Sequence, residues 1–327
     1  MKEADIRNRD TFNEYIRLSE LDAETYFADR SKYFSIDCPA CGSQGKPYLE
    51  KNSFKYQTCP TCDSFYVSPR PPIEQFEAYY VDSPSTKYWV EYFFKPMIDA
   101  RRVKMFQPRA KFLADRLDND GLTIGDVGAG FGLFLSELKK IRPNNSLVAI
   151  EPSVDMSKLC REEGLEVIPS LLEEITDKVE FFDVLTAFEL FEHLNDPRDF
   201  VQKIHGLLKP GGTFLFTTLN GLGFDIQMLQ EKSKSISPPH HLNFFNPNSV
   251  KVLLKNCGFD HVEVETPGIL DWDIVEGMHK NEEVDLGPFW EKLSKSGSVE
   301  AKQDLQQWIS RNGYSSHMRV IAKKEVK

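Results

Sequence analysis

From Leu122 onward, short apolar strands alternate with amphipathic helices, and this alternation constrains the fold more than any other feature of the chain. In the helical segment FGLFLSELKKIR, for example, the apolar residues recur at helical spacing along one face. Alternation of this kind predicts a mainly parallel sheet with helices on both faces, a doubly wound α/β fold. Seven strands are predicted, in the segments LTIGDVG, SLVAIEP, LEVIPS, FFDVLTAFEL, TFLFTTL, HVEVET and HMRVIAKK.

The stretch DVGAGFG, residues 126–132, follows the first of these strands and carries three glycines. In an open α/β sheet, ligands bind at the carboxyl ends of the strands, and the first strand-to-helix loop is a prime position. A bare structural turn is the alternative explanation for the glycines. Glu151 ends the second strand, where a carboxylate can accept both hydroxyls of a ribose, and this favours a nucleoside-bearing cofactor.

The composition is that of a globular protein, because 40% of the 327 residues are hydrophobic and 28% are charged. No apolar run approaches the roughly 18 residues that span a bilayer, and the first residues are too polar for the core of a signal peptide. We therefore expect a cytoplasmic location and no membrane partner. The formal net charge of −10 makes nucleic acid an unfavourable partner.

Two CxxC pairs lie before the alternating region, CPAC with Cys38 and Cys41 and CPTC with Cys59 and Cys62. Their spacing is typical of a site in which four thiolates bind one structural Zn²⁺, each pair forming a knuckle. A pair of disulfides is the alternative, and the expected cytoplasmic location disfavours it. A redox-active CxxC is a further alternative. The segment is therefore predicted to be a zinc ribbon, with strands in KYQTC and SFYVS.

The motifs DVGAGFG, IEP, FDVLTAFELFEHLNDP and LLKPGGTFLFTT together resemble those of class I S-adenosylmethionine-dependent methyltransferases, along most of residues 122–325. The resemblance implies a Rossmann-like methyltransferase core that uses S-adenosylmethionine as cofactor. Family members often have an acidic residue where Ser170 stands. By position, the resemblance assigns the cofactor-binding role to Asp126, Gly128, Gly130, Gly132, Glu151, Ser170, Leu171 and Glu189.

The order of a CPxC ribbon, the segment SPRPPIEQFEAYY and the methyltransferase core is similar to that of bacterial enzymes that methylate sugars or other small metabolites. Ubiquinone-type O-methyltransferases share the core and the FEH-like segment without the ribbon. The resemblance thus implies a small polar acceptor, with a sugar or a nucleotide-linked sugar favoured. The atom methylated stays open among oxygen, nitrogen and carbon.

Three histidines are candidates for a general base, the role that histidine suits near neutral pH. His240 and His241 lie in SPPHHLNFFNP after the fifth strand, and His193 lies in FEHLNDP after the fourth. Sugar C-methyltransferases have a Tyr-x-Glu-His motif near this position, whose final histidine matches His241, whereas Pro238 and His240 replace its tyrosine and glutamate. Each of the three histidines has an alternative role in packing or in orienting its loop.

The predicted organisation is a helical segment 1–35, the zinc ribbon 36–68, a helical linker or lid 69–117, and the methyltransferase core 118–327 with an insert 268–316. The insert, which contains Trp272, Trp290 and Trp308, either covers the acceptor or forms a homodimer contact. The aromatic residues of the linker are expected to form a hydrophobic core, or to close over the ligands through Tyr80 and Tyr88.

Three alternative functions remain open on the sequence alone. A ribosomal-RNA methyltransferase with a zinc module conflicts with the acidic charge and with the lack of a basic stripe. A cofactor- or partner-binding protein that has lost methyl transfer is less favoured, because the intact glycines and Glu151 indicate that the cofactor pocket is retained. An NAD-dependent oxidoreductase is disfavoured because its loop has the form G-x-G-x-x-G, whereas this chain has G-A-G-F-G.

Overall fold

The computed structural model describes residues 2–6, 8–281 and 283–326. The chain forms two compact units. The first, here called the ribbon unit, consists of Met1–Met97, Leu219–Val250 and Glu265–Met318. The second, here called the sheet unit, consists of Ile98–Thr218, Lys251–Val264 and Arg319–Lys327.

The helices and strands follow one another in the order that the sequence periodicity predicts from Leu122 onward. The helices are α1 Arg9–Tyr26, α2 Ile73–Asp82, α3 Pro84–Tyr88, α4 Ile98–Arg101, α5 Gln107–Ala114, α6 Leu133–Ile141, α7 Val154–Glu162, α8 Pro197–Leu207, α9 Phe224–Leu229, α10 Pro247–Asn256, α11 Asp271–Lys280, α12 Pro288–Ser296 and α13 Val299–Arg311. The strands are β1 Lys46–Lys51, β2 Phe54–Thr58, β3 Phe65–Val67, β4 Thr123–Val127, β5 Ser146–Ile150, β6 Glu166–Ile168, β7 Phe182–Phe188, β8 Leu208–Leu219, β9 Asn243–Phe244, β10 Phe259–Glu265 and β11 His317–Lys324.

A seven-stranded sheet organises the sheet unit, with strand order β10-β11-β8-β7-β4-β5-β6. The pairs β4–β5, β4–β7, β5–β6 and β7–β8 are parallel. β4 is central and is buried from Ile124 to Val127, as a strand with helices on both faces should be. The strand order reverses beside β4, so the loop after β4 lies at the topological switch point. The predicted doubly wound, mainly parallel fold is confirmed.

Two of the helices around this sheet begin at residues whose side chains cap them. The Ser153 hydroxyl accepts a hydrogen bond from the Met156 amide at the start of α7, and the Asp196 carboxylate accepts two amides at the start of α8. Such caps satisfy amides that have no partner within the helix. The apolar faces of α5 and α6 then pack on the sheet in one core, which contains Ala110, Leu113, Ile124, Phe134, Leu138, Leu147, Val184 and Leu215.

Two glycines of the loop after β4 provide a matched test of packing. Gly132 and Gly130 both have positive φ angles, of 67° and 54°. A Cβ on Gly132 would lie 2.9 Å from Leu165 Cδ1 and 3.1 Å from Cys160 Sγ, whereas a Cβ on Gly130 would meet nothing within 4 Å. We expect Gly130→Ala to cost only the backbone strain, about 1–2 kcal/mol. Gly132→Ala adds overpacking and should cost about 2–4 kcal/mol in urea unfolding. Equal costs for the two would show that the Gly132 contacts relax freely.

A four-stranded sheet of order β1-β2-β3-β9 organises the ribbon unit. The pairs β1–β2, β2–β3 and β3–β9 are all antiparallel. The sequence predicts β2 and β3 but not β9, which comes from the segment HHLNFF and pairs Phe65 with Phe244 and Tyr66 with Asn243. The two phenylalanine rings stack with centroids 4.2 Å apart. The ribbon sheet is thus completed by residues distant in sequence.

Helices pack against this sheet and against one another within the ribbon unit. α1 buries Phe12, Tyr15 and Ser19, so one face of the first helix contributes to the unit's interior. Trp272 lies in a separate core with Leu229, Val275 and Met278. Within the part of the chain that the structure describes, no helix is both long and apolar enough to cross a bilayer.

Candidate cofactor site and cysteine cluster

The glycine loop between β4 and α6 has a backbone conformation that residues with side chains rarely adopt. Gly128, Gly130 and Gly132 all have left-handed φ angles, and the amide of Gly128 donates to the Ile150 carbonyl over 2.9 Å. A Cβ at Gly128 would lie 3.3 Å from Leu190. The loop therefore lies close to its neighbours at Gly128 and Gly132. It faces open space at Gly130.

Glu151, the predicted ribose-binding acid, lies directly against this loop. Its Oε2 accepts the Gly130 amide over 2.8 Å, and its Oε1 accepts the Ser153 amide over 2.9 Å. The residue is only 6% exposed, and burial raises the pKa of its carboxyl while the two amides lower it. Each carboxylate oxygen has a second lone pair with which it can accept a ligand hydroxyl. The structure thus places the glycine loop and Glu151 together.

Asp126 is buried at the end of β4. Its Oδ1 accepts the Thr186 hydroxyl from β7 over 2.6 Å. Burial raises the pKa of its carboxyl to about 7, although this hydrogen bond and the charge of Arg109 oppose the rise. Asp126 thus joins β4 to β7 beneath the loop, and its predicted contact with the cofactor stays a prediction.

Glu189 stands at the end of β7 with a φ of 54°, which is uncommon for a residue with a side chain. Its Oε1 lies 2.6 Å from Arg109 Nη2 and accepts the Thr217 hydroxyl over 2.7 Å. The Arg109 guanidinium also lies over the Phe188 ring, 4.9 Å from its centroid. Sequence reasoning missed Arg109, since a single arginine on a helix carries no motif.

The remaining predicted residues of the sheet unit lie in the loops after β6 and β7. Ser170 is half-buried and Leu171 is exposed, with its amide donating to Glu174 Oε2 over 2.9 Å. His193 is half-buried in the short 3₁₀ turn Phe191–His193, and its amide donates to the Leu190 carbonyl. Its neighbour Glu192 is buried and accepts the Thr218 hydroxyl over 2.8 Å. The loop of His193 is therefore held by its backbone and by Glu192.

The four predicted metal ligands converge in the ribbon unit. Their Sγ atoms all lie within 4.8 Å of one another, and the pairs Cys38–Cys62 and Cys41–Cys59 are each 3.5 Å apart. Tetrahedral Zn–S bonds of about 2.3 Å place sulfurs about 3.8 Å apart, close to this geometry. The donor set therefore fits Zn²⁺ with four thiolates.

The two CxxC turns have the same backbone. The Cys38 amide donates to the Ser43 carbonyl over 2.9 Å, and the Cys59 amide donates to the Ser64 carbonyl over 2.8 Å. The residue after each second cysteine has a positive φ, 76° at Gly42 and 56° at Asp63. This repetition is the physical basis of the sequence pattern, because each turn presents two sulfurs to one side.

His240 and His241 belong to the ribbon unit and have different environments. His240 is 7% exposed, shares a hydrogen bond between its Nε2 and the Tyr79 hydroxyl, and has the Tyr15 ring 5.7 Å away. His241 is half-buried, and its Nδ1 donates to the Ser235 carbonyl over 2.6 Å. A carbonyl only accepts, so Nδ1 holds the proton and the basic lone pair of the neutral ring is on Nε2.

The aromatic residues singled out in the sequence have mixed surroundings. Tyr80 is 40% exposed and lies 5.9 Å from the His240 ring, while Tyr88 stacks on Tyr92 with centroids 5.0 Å apart. Trp272 and Trp290 pack together, with centroids 5.7 Å apart. Trp308 is 55% exposed. Closure of the tyrosines over a ligand and the role of the insert remain predictions.

Comparison with known proteins gives a consistent result. The family described as "Methyltransferase domain" matches residues 97–264. The ubiquinone biosynthesis O-methyltransferase of Xanthomonas oryzae pv. oryzae (strain PXO99A) is 30% identical over 162 residues, which cover 46% of this chain and 67% of that protein. The mitochondrial ubiquinone biosynthesis O-methyltransferase of Dictyostelium discoideum is 25% identical over 210 residues, 55% of this chain and 64% of that protein.

Solved structures are similar at lower sequence identity. A possible histamine N-methyltransferase from Thermotoga maritima has a TM-score of 0.47 and 17% identity, covering 77% of this chain and 96% of that one. The plantazolicin methyltransferase BpumL has a TM-score of 0.49 and 15% identity, covering 76% and 93%. The four clustered cysteines lie outside the segment 97–264 that the family matches.

Proposed function

The chain belongs to the methyltransferase domain family and is an S-adenosylmethionine-dependent methyltransferase, and from this premise we propose that its acceptor is a small polar metabolite, a sugar or a nucleotide-linked sugar. The ribbon preceding the core supports this acceptor through its resemblance to sugar-modifying enzymes. The observation that carries the cofactor assignment is the hydrogen bond from the Gly130 amide to Glu151 Oε2. It joins the glycine loop and the ribose-binding acid in one site.

Residues of the sheet unit are suited to hold the cofactor, which supplies an electrophilic methyl group when bound. Glu151 can accept ribose hydroxyls, and the open space at Gly130 lets a ligand approach the backbone. Arg109 pairs with Glu189 at the end of β7, and its guanidinium has five N–H donors, so donors remain with which it can bind a carboxylate. Ser170 and Leu171 are proposed on the adenine side.

The Glu151→Ala variant tests the cofactor site. We expect its affinity for S-adenosylhomocysteine to fall about 30- to 160-fold, because ribose contacts to a charged acceptor are worth about 2–3 kcal/mol. Calorimetric titration of the wild type and the variant measures the change. Glu166→Ala, an exposed acid on the neighbouring β6, is the matched control and should bind as the wild type does. Unchanged affinity in Glu151→Ala would remove the ribose assignment.

We propose His241 as the general base. Its support is the Nδ1 hydrogen bond to the Ser235 carbonyl, which fixes the orientation of the ring and its neutral tautomer. His240 was an equal candidate in the sequence, but its Nε2 is bonded to Tyr79 and it is buried among tyrosines, which favours a packing role. His193 is kept as an orienting residue of its loop.

A hydroxyl oxygen is the methylated atom that the relatives favour. The ubiquinone biosynthesis O-methyltransferases among them are, by name, O-methyltransferases, and one is 30% identical to this chain. A phenolic acceptor is therefore the second candidate. Production of S-adenosylhomocysteine, measured with neutral sugars, nucleotide sugars and catechols as acceptors, separates the two. Turnover with catechols alone would overturn the sugar proposal.

A further inference from the structure

The ribbon unit contains a cavity of about 530 Å³ that the proposed function does not use. A volume of this size is typical of sites for small metabolites. Its lining residues belong to α1, to the end of β1 and the turn that follows it, and to the segment 231–237. Met278 and Glu283 complete the lining. Apolar side chains, Ile16, Ile236 and Met278, alternate there with polar and charged ones.

Lys51 is one of three lysines that line this cavity, together with Lys232 and Lys234. Its Nζ donates to the Ser233 carbonyl over 2.8 Å, and this is its hydrogen-bond acceptor among the described residues. An ammonium carries three N–H donors, so further donors remain for a ligand. Burial lowers the pKa of the amine to about 8, although the charges of Glu20 and Glu231 oppose the fall.

The acidic residues of the lining are either paired with cations or exposed to solvent. Glu283 is paired with Lys234 over 3.3 Å and with Arg9 over 3.0 Å. Glu20 and Glu231 are exposed, so water screens them. Because Lys234 is paired and Lys232 is exposed, Lys51 is the partly desolvated cation of the lining.

Ser19 supplies an independent observation. It lies on α1, is 1% exposed and lines the same cavity. Its hydroxyl is buried and has no hydrogen-bond partner among the described residues. A buried hydroxyl without a partner costs free energy, and a ligand oxygen in the cavity would remove that cost.

We propose that this cavity is a binding site for a small organic anion, whose phosphate or carboxylate group contacts Lys51 and Ser19 while its apolar part lies against Ile16, Ile236 and Met278. Lys51 donates charge-assisted hydrogen bonds to the anionic oxygens, and the Ser19 hydroxyl donates one more. The site goes beyond methyl transfer, since it requires neither the glycine loop nor Glu151.

Titration with inorganic phosphate and, separately, with acetate tests the site in the zinc-loaded full chain. We expect one of the two to bind with a dissociation constant of about 1–10 mM, and the stronger one identifies the anionic group. In the same samples, bound anion should slow the acetylation of Lys51, followed by mass spectrometry of its peptide. The exposed Lys46 on the same strand should react at an unchanged rate.

Three variants test whether anion binding depends on Lys51 and Ser19. Lys51→Met should weaken anion binding about 10-fold or more, Ser19→Ala about 3-fold, and the control Lys46→Met less than about 2-fold. All three should bind S-adenosylhomocysteine as the wild type does, which separates this site from the cofactor site. Absence of binding by either anion, or equal binding by Lys51→Met and the wild type, would overturn the proposal.

Discussion

Replacing Cys59 with serine is expected to abolish stoichiometric zinc binding and to destabilise the ribbon unit by about 5 kcal/mol or more. Zinc contributes about 10–16 kcal/mol to small four-ligand sites, and the loss of one thiolate removes much of that. The CPAC turn precedes β1 and the CPTC turn connects β2 to β3, whose Tyr56, Phe65 and Val67 belong to the unit's core. Loss of the metal should therefore also loosen the pairing of β3 with β9.

Metal analysis and urea unfolding of the purified chain measure both effects. Cys257→Ser is the matched control, because Cys257 is also a buried cysteine but lies outside the cluster. We expect the control to keep one zinc per chain and to lose about 1–2 kcal/mol at most. A Cys59→Ser variant that keeps its zinc and its stability would mean that the cluster is not a four-thiolate site.

Replacing His241 with glutamine is expected to lower kcat about 10²- to 10⁴-fold, with little change in affinity for S-adenosylhomocysteine. Positioned bases contribute rate factors of this size, and glutamine retains a donor for the Ser235 carbonyl without a basic nitrogen. The wild-type rate should fall as the pH is lowered, since a protonated imidazole cannot accept a proton. The variant should lack that fall.

His279→Gln is the matched control for this experiment. Its ring makes the same kind of hydrogen bond, between Nδ1 and the Val284 carbonyl at 3.1 Å, and it is also half-buried in the ribbon unit. We expect its kcat to stay within about 2-fold of the wild-type value. If both variants lose activity equally, the effect is structural and His241 is not the base.

The sequence alone determined the features that depend on residues close together in the chain. Apolar periodicity predicted the strands and helices of the sheet, and the glycines of DVGAGFG predicted the loop between the first of these strands and its helix. The CxxC spacing predicted the convergence of four sulfurs. Each of these signals is local, since periodicity, turn geometry and ligand spacing act over a few residues.

Only the tertiary structure decided the features that join distant segments. The pairing of β9 with β3, the contact of Arg109 with Glu189 and the bond that fixes the His241 ring each have no counterpart in a local pattern. The cavity that brings Ser19 near Lys51 is of the same kind. Such contacts depend on how whole elements pack, because burial and charge at one residue are set by neighbours far away in the sequence.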